Sequence, residues 1–92
     1  MRESHIERAV GEFCKRNGIT FQKQAGVGNK GMADRLVMRR GKAIFLELKA
    51  PGCKPTALQE RYLRLRREDG FSAEWHDSIE GAVKFITKEL LP

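Results

Sequence analysis

Residues 31–49 read Gly31-Met-Ala-Asp-Arg-Leu-Val-Met-Arg-Arg-Gly-Lys-Ala-Ile-Phe-Leu-Glu-Leu-Lys49. Two short, mainly apolar runs flank the pair Arg40-Gly41, one at residues 36–38 and the other at 43–48. Glycine is a preferred residue of tight hairpin turns, and runs of this length are typical of strands. The stretch therefore predicts a β-hairpin with its turn at Arg40-Gly41.

The predicted hairpin brings charged side chains together. With a two-residue loop, Arg39 lies opposite Lys42 and, counting away from the turn, Asp34 lies opposite Glu47; a three-residue loop leaves the two acids diagonal. Opposed residues have Cβ atoms about 5 Å apart, and like charges there repel. A hard divalent cation held by carboxylate oxygens would remove that repulsion. Because side chains alternate along a strand, Glu47 and Lys49 share a face, so two acids and an amine surround one point.

A first helix is predicted over residues 3–17, followed by a strand over residues 19–22. The apolar residues of the helix recur at the spacing of one buried stripe, and Gly18 ends it. The stripe consists of Ile6, Val10, Phe13 and Cys14. Glu3 projects on the inner side of this helix and Glu7 lies at the edge of the stripe. As carboxylates of the first turns, both are also explained by a favourable interaction with the helix dipole.

Two further helices and one strand are predicted after the hairpin. Pro and Gly break regular structure over residues 50–55. A helix then runs from about Thr56 to Asp69, a strand covers residues 71–76, and Asp77-Ser-Ile-Glu80 caps a last helix. The second helix has a stripe of Leu58, Tyr62 and Leu65, with Leu63 beside it; the last has Ile79, Val83, Ile86 and Leu90. The order αβββαβα predicts an α/β fold with a mixed central sheet flanked by helices, in a single domain over residues 1–92.

The composition is that of a small basic domain. The 92 residues include 18 Lys and Arg against 12 Asp and Glu, which gives a net charge of +6. Such an excess points to an anionic partner, although a solvated basic surface also explains it. Cys14 and Cys53 lack the spacing of a zinc site and do not suggest a disulfide. The start of the chain does not resemble a signal peptide, and the longest wholly apolar run is too short for a membrane span, so we expect a cytoplasmic protein without membrane contact.

The segment from Gly26 to Gly31 matches the pattern G-x-G-x-x-G. As a dinucleotide-binding motif it fails, because that motif opens a helix and a strand follows here. We therefore expect no nucleotide cofactor. Lys30 in this segment could reach a phosphate, and a solvated loop lysine is the equal alternative.

Asp34 together with Glu47-Leu48-Lys49 resembles the PD-(D/E)xK nuclease superfamily. The closer resemblance is to the VRR-NUC family, through Gly31-x-x-Asp34-Arg-Leu-Val, Phe45-Leu-Glu-Leu-Lys-Ala-Pro-Gly52 and Leu58-Gln59. One departure is Ala33, where the family usually carries Pro. The resemblance covers nearly the whole chain. It implies a restriction-endonuclease-like core and a divalent-metal-dependent DNA endonuclease that uses Mg²⁺ or Mn²⁺.

The resemblance also implies roles for individual residues. Asp34 and Glu47 would bind the metal with the backbone carbonyl of Leu48, and Glu7 would bind through a water molecule, with Glu3 as an additional acid. Lys49 and Gln59 would complete the catalytic set of Asp34, Glu47 and Glu7. Two alternatives stay open: the two acids and Lys49 could form a cross-strand salt bridge, and Gln59 could close a capping box with Thr56.

The expected substrate is branched DNA, with a four-way junction favoured. Minimal stand-alone members of the family resemble dimeric Holliday-junction resolvases, so the resemblance implies a homodimer. The candidate DNA-binding residues are Lys30, Arg35, Lys54, Arg61 and Arg64. A monomeric flap or nicking nuclease, and a non-catalytic DNA-binding module on the same fold, are the alternatives.

Overall fold

The computed structural model of the chain describes residues 1–24 and 32–92, and it confirms the order αβββαβα. The segment Gly26–Gly31, with Lys30, lies outside the described residues. In the part that is described, none of the helices has the length and apolar character needed to cross a membrane. The elements are α1 (Glu3–Arg16), β1 (Thr20–Lys23), β2 (Arg35–Arg39), β3 (Lys42–Leu48), α2 (Ala57–Glu68), β4 (Ala73–His76) and α3 (Ile79–Leu90).

The hairpin β2–β3 has a two-residue loop. Arg39 pairs with Lys42 in an antiparallel register that continues to the pair Arg35–Leu46. Both loop residues have positive φ angles, 47° at Arg40 and 81° at Gly41. A two-residue turn of this kind matches the right-handed twist of the flanking strands. The next position beyond the ladder is occupied by Asp34 and Glu47, so the register is the one that opposes the two acids.

The sheet is mixed, as predicted, with strand order β1-β2-β3-β4. The first three strands are antiparallel neighbours, and β4 is parallel to β3, with α2 as the crossover between them. Helices α1 and α3 cover one face and enclose the main core. That core includes Ile6, Val10, Cys14, Ile19, Val37, Ile44, Leu46, Leu48, Ala82, Phe85, Ile86 and Leu90.

Helix α2 covers the other face of the sheet, and its fully buried contact there is Leu63. Leu63 is 1% exposed and packs in a second cluster with Ala33, Phe45 and Ala73. Leu58, predicted to be on the buried stripe, is 57% exposed, so that assignment was wrong. The inward face of α2 instead carries Gln59 and Leu63, one helical turn apart, because Gln59 reaches a buried carboxylate on β3. Because the inward position is occupied by the polar Gln59, the spacing of apolar residues did not identify the buried face of α2.

The start of α3 also differs from the prediction. Ser78, not Asp77, is the N-cap residue, and its hydroxyl accepts a hydrogen bond from the Gly81 N–H at 3.0 Å. Asp77 accepts from the Gly52 N–H at 3.0 Å and so fixes the turn that follows β3. The buried residues of α3 are Ala82, Phe85, Ile86 and Leu90, while Ile79 and Val83 are half-buried.

A pair of substitutions on α2 tests this orientation. We expect Leu63→Ala to lower the free energy of unfolding by about 2–4 kcal/mol, because it opens a cavity in a packed cluster. Leu58→Ala removes the same atoms from an exposed position and should change stability by about 0.5 kcal/mol or less. Denaturant unfolding of the two variants measures the difference. An equal loss of unfolding free energy in the two variants would contradict the position of α2 on the sheet.

Candidate active site

Among the described residues, Glu47 on β3 is the one charged residue that is buried, with 4% exposure. Its Oε1 accepts a hydrogen bond from the Asp34 backbone N–H at 2.8 Å. Its Oε2 accepts from Gln59 Nε2 at 3.2 Å and lies 3.5 Å from Lys49 Nζ. A buried carboxylate is stable when it is paired and hydrogen-bonded in this way. The hairpin and the start of α2 are therefore joined at one side chain.

Gln59 has both of the roles that the sequence left open. Its Oε1 accepts from the Thr56 N–H at 2.9 Å, and the Thr56 hydroxyl accepts from the Gln59 N–H at 3.2 Å, which forms a capping box. The box uses the oxygen of the side-chain amide and leaves the nitrogen free to donate to Glu47. The cap thus fixes the orientation in which the amide faces Glu47.

Three acids from two elements converge beside Glu47. One carboxylate oxygen from each of Glu3, Glu7 and Asp34 lies within 4.8 Å of the others. Asp34 Oδ2 is buried and has no hydrogen-bond partner among the described residues. Converging carboxylate oxygens with an uncommitted lone pair are the donor set of a hard divalent cation. The site therefore fits a hard divalent cation. Glu47 is not one of these three acids, but it is hydrogen-bonded to the Asp34 backbone.

The pKa of Asp34 is raised, first by burial and then by the neighbouring acids. Burial, the close carboxylate of Glu7 and the charge of Glu47 raise the pKa of Asp34 from 3.8 to about 7, against the opposing charge of Arg35. Burial also raises the pKa of Glu47, although Lys49 and the Asp34 N–H favour its ionised form. A buried carboxyl group whose pKa lies near neutral pH, with a specific charged neighbour, is typical of a functional site.

Arg35 contributes a positive charge at the edge of the acidic cluster. Its guanidinium lies 3.6 Å from Glu7 Oε1, and its Cζ lies 4.3 Å from the centre of the Phe21 ring. The side chain is 16% exposed. This residue was a candidate for DNA binding, and the structure shows it paired with an acid and stacked on an aromatic ring.

Gln24 supports the site and was missed by sequence reasoning. Its backbone N–H donates to the Asp34 carbonyl at 3.0 Å, and its Nε2 donates to the Ala33 carbonyl at 3.0 Å. Tyr62 on α2 makes a long contact of 3.5 Å to Gln24 Oε1. The backbone of Asp34 is thereby held from β1 as well as from β3. The pairing of Lys23 with Arg35 puts Gln24 opposite Asp34, so a predicted β1–β2 register would have found it.

Comparison with known proteins places the chain among nucleases. No protein-family model matches the chain. The chain is 48% identical over 63 residues to "Putative nuclease p44" of Acyrthosiphon pisum secondary endosymbiont phage 1, which covers 66% of this chain and 67% of that protein. A solved structure described as "VRR_NUC domain" superposes with a TM-score of 0.81 and 27% identity, over 91% of this chain and 92% of the other. The chain belongs to the VRR-NUC nuclease family.

The VRR-NUC fold brings most of the predicted residues together. Glu47, Lys49 and Gln59 form one connected group with the Asp34 backbone, and Glu7 and Glu3 adjoin it. Leu48 is fully buried between Glu47 and Lys49 in β3. The candidate DNA contacts Lys54, Arg61 and Arg64 are exposed, and Arg64 pairs with Glu68 at 3.7 Å.

Ala33 explains how the chain tolerates its departure from the VRR-NUC pattern. The residue is 1% exposed and packs in the second cluster beside Leu63 and Phe45. Its carbonyl accepts from Gln24. The position is therefore one of packing and backbone shape, and the substitution leaves the acidic group intact.

Because the pKa of Asp34 is raised, Asp34→Asn should increase folding stability in the absence of metal, by an amount that depends on pH. The unfolded chain releases this proton near pH 3.8 and the folded chain near pH 7, so folding stability falls as pH rises through that interval. One pKa unit corresponds to about 1.4 kcal/mol, and solvent screening reduces the total. We expect Asp34→Asn to be about 1–2 kcal/mol more stable than the wild type at pH 8 in EDTA, with a smaller difference at pH 5.

Thermal unfolding at the two pH values measures the gain. Glu60→Gln, an exposed acid on α2 away from the cluster, is the matched control and should show no such pH-dependent gain. A variant Asp34→Asn that is less stable than the wild type at pH 8 would contradict the repulsion inferred for the cluster.

Proposed function

We propose that this VRR-NUC protein is a metal-dependent endonuclease that hydrolyses phosphodiester bonds in DNA. The observation that carries the proposal is the convergence of Asp34, Glu7 and Glu3 around one point, with Glu47 and Lys49 beside it. The net charge of +6 supports an anionic substrate. We expect the protein to act in the cytoplasm of a bacterial or phage-infected cell, where its substrate is accessible.

Mg²⁺ or Mn²⁺ would be held by Asp34 and Glu47, together with the backbone carbonyl of Leu48. Glu7 would contribute through a water molecule, with Glu3 as an additional acid. When bound, the cation lowers the pKa of a water molecule and neutralises charge on the phosphate. The partnerless Oδ2 of Asp34 supports its assignment as a ligand.

Lys49 would act on the scissile phosphate or on the attacking water. It shares a face of β3 with Glu47, and its amine lies 3.5 Å from that carboxylate, with 17% of the side chain exposed. An amine fixed there can stabilise negative charge on the phosphate or accept a proton from the attacking water. Its contact with Glu47 keeps the amine in position for either role.

Gln59 would orient water or phosphate. A side-chain amide nitrogen has two N–H donors, and the structure commits one of them to Glu47. The second donor is left for an oxygen of the substrate. Since the capping box holds the other end of the amide, this donor has a defined direction.

A non-catalytic DNA-binding module is a weaker explanation of the same residues. Basic charge serves a binder and a nuclease equally. Clustered carboxylates, however, repel phosphates, and together with burial, the larger cause, they raise the pKa of Asp34 at a cost in stability. A pure binder would gain from their replacement, whereas a metal-dependent nuclease needs them.

The first test is cleavage of labelled DNA with and without metal. We expect cutting with Mg²⁺ or Mn²⁺ and none in excess EDTA. Lys49→Ala should reduce the rate by about 100-fold or more, the usual range for a lost acid–base or charge-stabilising group, while DNA binding persists. Lys88→Ala removes an equal charge from an exposed position on α3 and should cut normally. Activity that survives EDTA, or normal cutting by Lys49→Ala, would refute the proposed site.

The proposed substrate is a four-way junction and the proposed active form is a homodimer. The described residues form a body with a radius of gyration of 12.3 Å and one acidic cluster. Resolving a junction requires two symmetric cuts, and a two-fold dimer supplies two sites related by the symmetry of the junction. The runner-up is a monomeric flap or nicking nuclease.

Sedimentation at micromolar concentration and a panel of substrates test this second proposal. We expect the mass of a dimer, and faster cutting of a four-way junction than of a linear duplex with the same sequence. Flap and fork substrates serve as the competing branched forms. A monomer that cuts the flap fastest would favour the runner-up.

A further inference from the structure

A cleft of about 410 Å³ opens beside the acidic cluster, between α1 and the edge of the sheet. Glu7 and Arg35 line it at the end nearest the acids, and Arg8 and Lys15 line it along α1. The cleft is open to solvent and shares Glu7 with the proposed metal site. Its position next to Glu7 makes it a continuation of the candidate active site.

The size of the cleft suits a single nucleotide. Pockets for small ligands typically have about 300–1,000 Å³, and a space of this volume is too small to enclose a duplex. The helix from Glu7 to Lys15 extends for about 12 Å at 1.5 Å per residue. That length corresponds to three or four steps of about 3.4 Å along one DNA strand. One strand could therefore run from the acids along α1.

The cations of the cleft are available to a ligand. Arg8 and Lys15 are exposed and form no ion pair with any of residues 1–24 or 32–92. On α2, in contrast, several arginines are engaged. Arg64 pairs with Glu68, Arg66 pairs with Asp69, and Arg67 donates to the Ala73 carbonyl. Glu12 also lines the cleft, where Arg8 and Lys15 lie on either side of it in sequence and offset its charge.

Arg35 and Phe21 line one wall of the cleft as a stacked pair. The Arg35 guanidinium is fixed by stacking on Phe21 and by its pair with Glu7. An ideal Cβ at Gly11 would lie 3.3 Å from the Phe21 ring, so a glycine lets this ring pack tightly against α1. Unpaired bases stack on guanidinium planes held in this manner.

We propose that this cleft binds an unpaired nucleotide of the substrate strand next to the scissile phosphate. Arg8 and Lys15 contact the phosphates of that strand, and the guanidinium of Arg35 faces the base. The inference rests on the proposed nuclease function. Flaps and forks expose unpaired nucleotides at the branch, whereas a four-way junction pairs its bases, so the cleft gives a reason for preferring flap or fork DNA over a linear duplex. It also assigns part of the DNA contact to α1, where the sequence had predicted contacts from α2.

The experiment compares two charge-matched double variants. Arg8→Glu/Lys15→Glu reverses the cleft cations, and Arg16→Glu/Lys88→Glu reverses two exposed cations outside the cleft, one of them on the same helix. Both variants have the same net charge. Binding is measured in EDTA by fluorescence anisotropy, with a DNA that carries unpaired nucleotides at a branch and a fully paired DNA of equal length. Circular dichroism establishes that both variants fold.

The wild type should bind the branched DNA more tightly than the paired DNA. The cleft variant should lose this preference and bind the branched DNA about 10-fold more weakly than the control variant. The magnitude of its slope of log K against log salt should fall by about 1.4, because each of two phosphate contacts on an unpaired strand contributes about 0.7. Equal affinities and slopes for the two variants would overturn the assignment of the cleft.

The binding assay separates this inference from the proposed nuclease function. If the wild type binds in a cleft-dependent way but does not cut with any divalent metal, the nuclease function fails and the cleft assignment stands. If the wild type cuts and the cleft variant keeps its preference for branched DNA, the cleft assignment fails alone.

Discussion

The hydrogen bond from the Asp34 N–H to Glu47 Oε1, 2.8 Å long, joins the two ends of the central hairpin. It depends on the turn, because the two-residue loop at Arg40-Gly41 fixes which residues are opposed. A slip of one residue would move every side chain of the strand to the other face. The buried Glu47 would then lose its donors, and a buried carboxylate without partners is costly. The register of the fold and the geometry of the site are thus set by one constraint.

Gln59 shows how closely the site is connected to secondary structure. The same side chain closes the capping box of α2 and donates to Glu47. A capping residue is held at the helix start by two backbone contacts, so its position is well defined. Loss of the cap would therefore affect more than helix stability, since the donor to Glu47 would lose its orientation.

Local patterns made much of the fold predictable. Alternation and a glycine turn predicted the hairpin, and helical spacing predicted α1, where Ile6, Val10 and Cys14 are fully buried. The error at Leu58 arose because an inward position on α2 is occupied by a polar residue, which periodicity alone cannot recognise. The predicted helices and strands, read along the chain, gave the order αβββαβα. A mixed sheet was predicted from that order.

The candidate site was predictable where its residues are close in sequence. Glu47 lies on β3 and Lys49 directly follows that strand, and the position of Asp34 follows from the hairpin register. The approach of Glu7 to Asp34 depends on how α1 packs across the sheet, and no local pattern contains that information. For this residue the family resemblance supplied what the spacing could not. The stacking of Arg35 on Phe21 joins two strands through a register that the sequence left unassigned.

The negative charge around Asp34 is only partly compensated by nearby positive charge. Arg35 approaches Glu7 at 3.6 Å and is restrained by Phe21, so it compensates one acid and leaves Asp34 Oδ2 without a partner. A second nearby cation would stabilise the folded chain, but it would occupy the oxygen that a divalent ion requires. A cluster without Arg35 would leave the repulsion between Glu7 and Asp34 uncompensated. One fixed guanidinium therefore reduces the repulsion enough for folding while an acidic oxygen stays available for a ligand.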